Sequence, residues 1–143
     1  MGTRVAQTVL VLVLAGLGVV LALSTSRTDA AARTCFGRAV TIVAEAGEQT
    51  VGTSGSDVIR GTSGDDVIFG RGGPDRICSL GGDDVVLGGR GNDRINLGPG
   101  DDQADGEKGS DLVIGKGGDD GLWGGAGKDE LRGGSGRDFL DGG

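Results

Sequence analysis

Apolar residues follow two different patterns along the chain. Between Val9 and Leu23 they form an uncharged and almost continuous run, whereas from Gly52 onward one apolar position returns every nine residues. A short fixed period of this kind is typical of proteins built from stacked repeats. The pattern therefore predicts an N-terminal hydrophobic segment followed by a repetitive region.

The repetitive region consists of ten nine-residue units that run from Gly52 to Asp141 without an insertion or deletion. Every unit has Gly at its fourth position, and only Ser79 and Leu97 replace Gly at the first. The sixth position is always aspartate: Asp57, Asp66, Asp75, Asp84, Asp93, Asp102, Asp111, Asp120, Asp129 and Asp138. The eighth is always apolar: Ile59, Ile68, Ile77, Val86, Ile95, Ala104, Val113, Leu122, Leu131 and Leu140.

A single unit of this kind is too short to bury a core by itself. Its glycines favour tight turns, because Gly adopts positive φ at little cost. Positions seven to nine remain for a minimal strand with one inward side chain. Stacked units would pair equivalent strands and bury the eighth positions together. The sequence therefore predicts an all-β solenoid of short strands.

The sixth-position aspartates would then form rows with a spacing of about 4.8 Å. Carboxylates at that spacing repel one another unless cations lie between them. Turn carbonyls and carboxylates together make the all-oxygen site that Ca²⁺ prefers, whereas Mg²⁺ demands stricter octahedral geometry. Zn²⁺ favours His or Cys ligands, and the chain has no His. The rows are therefore predicted calcium sites.

The repeat resembles the RTX, or haemolysin-type, calcium-binding nonapeptide GGxGxDxUx over residues 52–141, about two-thirds of the chain. The resemblance implies a right-handed parallel β-roll with two nonapeptides per coil. It also implies that sixth-position carboxylates and turn carbonyls of units k and k+2 hold each ion. Ten units allow up to eight such pairs, four on each edge, and hence up to about eight Ca²⁺ ions.

Composition narrows the possible functions. The formal net charge of −7 argues against a nucleic-acid partner, which would require a basic surface. The rows account for the regularly spaced aspartates, and no His is available for a catalytic triad, so we expect no enzyme activity. Only 3% of residues are aromatic and 33 are Gly, which makes the apolar core small. We therefore expect the chain to be largely unfolded without calcium and ordered with it.

Residues 1–32 have the features of an export signal. Arg4 precedes the apolar run, and the small residues near Ala30 and Ala32 offer cleavage positions. Cleavage would make the protein extracellular with no membrane contact, whereas an uncleaved segment would anchor it to a membrane at its N-terminus. The predicted organisation is thus a signal peptide at 1–32, a cap segment at 33–51 and an RTX-type β-roll at 52–143.

The two cysteines of the chain predict a disulfide, because cysteine pairs of exported proteins are oxidised outside the cytosol. A Cys35–Cys78 bond would join the segment 33–51 to the outer ninth position of the third unit and cap the open end of the stack. Within that segment, residues 41–43 could add a strand. Residues 47–51 resemble a degenerate unit, with Glu48 near the acid position.

With two units per coil, positions seven and nine would face outward on two different sheets. The even-numbered units would show an apolar exterior of Val67, Phe69, Val85, Leu87, Trp123 and Phe139. The odd-numbered units would show Arg60, Arg76, Arg94 and Arg132. An apolar outer stripe is a candidate for self-association or for a surface partner.

Three interpretations follow: a structural or surface calcium module, a calcium-dependent adhesion module that uses the apolar sheet, and the repeat-containing fragment of a larger secreted toxin or hydrolase. An ice-binding face would require an outer ladder of Thr, which positions seven and nine lack.

Overall fold

The computed structural model describes residues 34–143. The predicted signal segment and its cleavage positions lie outside the described residues. Within residues 34–143 there is no α-helix, and therefore none that could span a membrane. The strands are β1 (Thr34–Cys35), β2 (Arg38–Ala39), β3 (Ile42–Val43), β4 (Gln49–Val51), β5 (Val58–Arg60), β6 (Val67–Phe69), β7 (Arg76–Cys78), β8 (Val85–Arg90), β9 (Arg94–Pro99), β10 (Gln103–Gly109), β11 (Leu112–Gly117), β12 (Gly121–Trp123), β13 (Ala126–Gly127), β14 (Glu130–Ser135) and β15 (Phe139–Asp141).

Two parallel sheets form the walls of the solenoid. The odd sheet, in the order β14-β11-β9-β7-β5-β3, contains the strands of the odd-numbered units; the even sheet, β15-β12-β10-β8-β6-β4, contains those of the even-numbered units. Strand β13 pairs with β10 beside this path. From β4 onward, each strand pairs with its equivalent 18 residues away, as in Ile59 with Ile77 and Ile68 with Val86. Two nonapeptides therefore make one coil, which confirms the predicted β-solenoid.

The core is a column of eighth-position side chains between the two sheets. From Ile59 to Leu122 these residues are at most 2% exposed. Leu131 is only partly buried and Leu140 is 44% exposed, because they lie in the last coil, which has a neighbouring coil on one side only. The predicted inward direction of the eighth position is thus confirmed for the interior of the stack.

The unit at residues 97–105 is better packed than its sequence suggests. Its Leu97, at a position where most units have Gly, is fully buried in the same core cluster as Ala104. The unit that has the smallest eighth-position side chain therefore contributes a second apolar group to the core.

The N-terminal segment contributes to the fold in two ways. Strand β3 extends the odd sheet and β4 extends the even sheet, so the predicted added strand and degenerate unit are confirmed. Gln49 pairs with Val67, which places Glu48 in the register of Asp66 and hence at the acid position. The end of the stack is therefore covered by continued strand pairing.

The disulfide between Cys35 and Cys78 is present, with a Cα–Cα distance of 5.8 Å. It joins the antiparallel β1–β2 hairpin to the outer side of β7, as the ninth-position placement of Cys78 predicts. Strands β3 and β4, which continue the two sheets at the open end, belong to the same predicted cap segment 33–51. The hairpin instead covers part of the outer face of the odd sheet, where the Phe36 ring lies 4.8 Å from the Arg94 guanidinium carbon.

Candidate metal centre

The sixth-position aspartates form two continuous rows, one along each edge of the solenoid. The backbone N–H of each donates a hydrogen bond to Oδ1 of the aspartate 18 residues later, at 2.7–3.1 Å. Eight such bonds link the ten aspartates, four on each edge. These are the k and k+2 pairs expected from the repeat.

The second carboxylate oxygen is free of protein partners along most of both rows. It is buried and accepts no hydrogen bond in seven residues: Asp75, Asp84, Asp93, Asp102, Asp111, Asp120 and Asp129. A buried oxygen without a donor is costly, and native proteins rarely retain many of them. A cation bound beside each of these oxygens would supply the partner that the oxygen lacks.

In most units the first-position glycine adjoins the free oxygen; the exceptions are Ser79 and Leu97, in the units of Asp84 and Asp102. A Cβ at Gly70 would lie 2.7 Å from Asp75 Oδ2 and 2.3 Å from the carbonyl oxygen of Gly88. A Cβ at Gly106 would lie 2.6 Å from Asp111 Oδ2 and 2.8 Å from the Gly124 carbonyl oxygen. Carboxylate and carbonyl oxygens thus line the same small space, which is the donor set that Ca²⁺ takes.

The fourth-position glycines allow the turns of neighbouring coils to stack closely. Gly91 and Gly100 have φ values of +131° and +143°. A Cβ at these positions would lie 2.3 Å from the carbonyl oxygen of Gly73 and 2.0 Å from that of Gly82. A side chain would therefore force the coils apart and separate the carboxylates from the carbonyls of the next turn.

Burial changes the protonation of the rows. It raises the pKa of Asp75 and of Asp102 to about 7 and that of Asp111 to about 6, against the opposing effect of the backbone hydrogen bond that each accepts. Burial also raises the pKa of Asp84, Asp93 and Asp120. The charged form of these carboxyl groups is therefore disfavoured without cations, mainly by burial, and repulsion from neighbouring carboxylates adds a smaller rise in pKa.

The first two units differ from the rest. Oδ2 of Asp57 accepts hydrogen bonds from the backbone N–H and hydroxyl of Thr53, at 2.7 and 2.9 Å. Oδ2 of Asp66 accepts one from the backbone N–H of Thr62 at 2.6 Å. A cation here would compete with these donors. These hydrogen bonds are indicated in the sequence by the GTSG start that only these two units share.

A second, exposed row on the even edge was not predicted. The backbone N–H groups of Asp83, Asp101 and Asp119 donate to the fifth-position carboxylates 18 residues earlier, at 2.8–2.9 Å. The row begins at Asp65, and Arg137 pairs with Asp119 at its other end. Its sequence signal is the Asp-Asp pair of units two, four, six and eight, which the odd-numbered units lack.

Within residues 34–143, no three carboxylate, His or Cys side chains converge on one point. Any cation in the rows would therefore depend on backbone carbonyls as much as on carboxylates. That requirement suits a hard cation with oxygen ligands and excludes a thiolate or imidazole site in this part of the chain.

A family model for the RTX calcium-binding nonapeptide repeat matches residues 51–86, 79–113 and 114–143. The chain belongs to the RTX calcium-binding repeat family. A comparison with curated proteins finds no match. Calcium is thus the ion that repeats of this family bind, and the β-solenoid fits a calcium-binding structural module.

Proposed function

We propose that this RTX protein is an exported structural or surface module that folds when calcium binds between its stacked turns. The observation that carries the proposal is the repeated buried Oδ2 without a hydrogen-bond donor. Ca²⁺ supplies the positive charge and the oxygen coordination that these groups lack. The proposed ligands are the ten sixth-position aspartates with turn carbonyls, in up to about eight sites.

The same residues explain why folding would depend on the ion. Burial raises the pKa of interior carboxyl groups such as Asp75 and Asp102, so these groups stay charged at neutral pH only if cations compensate their burial. Any ligand that binds only the folded state stabilises it, and the contributions of several sites accumulate. At millimolar calcium and a Kd of about 10⁻⁴ M, each site contributes about 1.4 kcal/mol. Several sites together therefore match the stability of a typical domain.

Export is part of the proposal. Residues 1–32 contain a basic residue, an apolar run and small residues in the order found in cleavable signal peptides. The disulfide agrees with an oxidising compartment. Extracellular calcium would then be continuously available to the rows. A role without catalysis follows from the use of the regularly spaced aspartates as structural ligands.

Calcium titration of the mature chain, from residue 33 onward, tests the proposal. Far-UV circular dichroism and Trp123 fluorescence should report a cooperative transition from coil to β-structure. Mg²⁺ at equal concentration should be far less effective. A far-UV spectrum that does not change between chelator and millimolar calcium would contradict a calcium-driven fold.

The variant Asp93→Asn distinguishes an effect of the aspartate rows on calcium binding from an effect of the net negative charge. It keeps an oxygen acceptor for the Asp75 N–H but removes one proposed ligand charge, so the calcium midpoint should rise. The matched control is Asp141→Asn, an exposed acid at an outward ninth position, which should leave the midpoint within about twofold because screening weakens its interaction with the rows. Equal shifts in both variants would assign the effect to net charge.

The second candidate function is calcium-dependent association through the even sheet. Trp123 is 36% and Phe139 57% exposed, and their ring centroids lie 5.7 Å apart. The outward Gln103 and Asp105 separate this pair from the apolar group at Val67, Phe69, Val85 and Leu87. The stripe is therefore two patches, and the aromatic pair is the stronger candidate contact.

A further inference from the structure

Four arginines surround the disulfide on the outer face of the odd sheet. Arg60, Arg76 and Arg94 occupy outward positions on the consecutive strands β5, β7 and β9, and Arg76 pairs in register with Arg94. Arg38 pairs with Cys35 in the hairpin that is bonded to this face. We call this region the disulfide face.

The cations of the disulfide face have no acidic partner among residues 34–143. The outward strand positions from β3 to β11 on this sheet carry no Asp or Glu. The first acid is Glu130 on β14, which is bound by Arg132. Arg94 instead contacts the Phe36 ring.

This arrangement is unfavourable unless an anion is present. Like charges directly opposite each other on neighbouring strands are destabilising, and Arg76 and Arg94 are such a pair. Carboxylates are plentiful in a chain of net charge −7, but most lie along the turn edges. The positive face is therefore open to an anion from another molecule.

The shape of the face selects among anionic partners. Arg76 and Arg94 lie in register at about 4.8 Å, and Arg60 lies on the next strand in the column of Cys78. The cations therefore form a staggered group, which suits an extended chain with repeated anionic groups. The β1–β2 hairpin stands on the same face, so a flat bilayer cannot lie against the strands there. The Arg94 guanidinium lies over one face of the half-buried Phe36 ring, and the rest of the ring offers apolar surface against which a sugar ring packs.

We propose that the disulfide face binds a linear acidic polysaccharide through Arg60, Arg76, Arg94 and Arg38. Guanidinium groups bind sulfate, phosphate and carboxylate groups in bidentate fashion, which fixes both position and orientation. Arg76 and Arg94 directly follow the row residues Asp75 and Asp93 in the sequence, but they lie at outward strand positions. Calcium is therefore required only for the fold that displays them.

Binding of dextran sulfate to the calcium-saturated mature chain tests this site, with uncharged dextran as the ligand control. Arg76→Gln/Arg94→Gln should weaken binding at least tenfold. The control Arg71→Gln/Arg90→Gln changes two exposed turn arginines and the same total charge, and should stay within about twofold because screening limits long-range effects. Far-UV dichroism in calcium establishes that each variant is folded.

Three outcomes would overturn the proposal. The first is no binding of dextran sulfate by the folded chain. The second is an equal loss in both arginine pairs, which would indicate non-specific attraction. The third is binding of poly-glutamate or of anionic phospholipid vesicles with the same dependence on Arg76 and Arg94 and at higher affinity, which would assign the face to an acidic polypeptide or a membrane.

Discussion

Each sixth-position aspartate uses its two oxygens differently. Oδ1 joins neighbouring coils by accepting a backbone N–H, as between Asp75 and Asp93 at 2.8 Å, while Oδ2 remains without a donor in the interior units. One side chain therefore both sets the spacing of the coils and offers a ligand atom. Asn would satisfy the hydrogen bond alone, whereas the proposed calcium site requires the carboxylate of Asp.

The raised pKa values predict an unusual pH dependence for the calcium-free chain. Asp75 and Asp102 have a pKa of about 7 against 3.8 for an ordinary Asp, so the folded state binds protons more strongly than the unfolded state. This stabilisation is complete below the unfolded pKa and is lost as the pH rises through about 7. In a chelator, β-structure measured by far-UV dichroism should therefore increase from about pH 8 to about pH 5.

Calcium should reverse this preference, because protons and Ca²⁺ compete for the same carboxylates. The calcium midpoint should therefore rise as the pH falls. If the calcium-free chain had more β-structure at the higher pH, burial would not be what determines the pKa of these carboxyl groups.

Leu97 provides a prediction for the core. Truncation to Ala removes a fully buried side chain from the core cluster, and such changes cost about 2–5 kcal/mol. Leu97→Ala should lower the free energy of unfolding in saturating calcium by that amount, measured by urea denaturation. The control Leu87→Ala removes a half-buried outward side chain and should cost clearly less. Similar losses in the two variants would place Leu97 outside the core.

Among the elements, the turns determine which charges lie at each edge. The even edge carries a fifth-position row from Asp65 to Asp119 beside its sixth-position row, whereas the odd edge has Asn92 and Ser110 at equivalent places. Extra carboxylates next to a cation site increase its affinity. The fifth-position residues should therefore increase the calcium affinity of the even edge more than that of the odd edge.

Exchange of charge at the fifth position tests this difference. Asn92→Asp adds a carboxylate beside Asp93 and should tighten calcium binding by about three- to tenfold before screening by salt. Asp101→Asn removes one beside Asp102 and should weaken it similarly. Both changes keep the oxygen acceptor of the coil-to-coil hydrogen bond. Isothermal titration calorimetry should resolve the two directions, and shifts of the same sign would refute the role of the fifth position.

The hairpin β1–β2 depends on the disulfide for its attachment to β7. The bond closes a loop with a sequence separation of 43 residues, for which chain entropy predicts a stabilisation of about 4 kcal/mol. Cys35→Ser/Cys78→Ser should therefore lower the free energy of unfolding in saturating calcium by about that amount. Thermal or urea denaturation measures the loss, and reduction of the natural bond should reproduce it.

At the scale of the whole molecule, calcium binding and self-association can be tested separately. If the aromatic pair mediates self-association, the calcium-saturated chain should form dimers that Trp123→Ser abolishes, whereas Phe69→Ser in the other patch should have a smaller effect. Analytical ultracentrifugation in calcium and in chelator measures this. A monomer at all concentrations in calcium would exclude the even sheet as a contact between copies.

Much of the architecture was predictable because the repeat is strict. The nine-residue period determined the strand positions, the inward direction of Ile59 through Leu122 and the pairing of units k and k+2. The strands β8–β11 and β14 extend beyond the three predicted residues, since pairing between coils continues through the following glycines. Local pattern specifies which residues face inward, but it does not specify how far two backbones remain in contact.

The sequence by itself determined the solenoid, the aspartate rows and the cysteine pair, because each follows from a period or a compartment. Only the tertiary structure decided that Oδ1 is already used between coils, that Leu97 enters the core, and that the hairpin lies on the outer face of the odd sheet. These features depend on contacts between residues far apart in the chain or on the direction of a single side chain. A repeat specifies which residue type stands at each position. It does not specify these contacts, because they depend on the space between neighbouring coils.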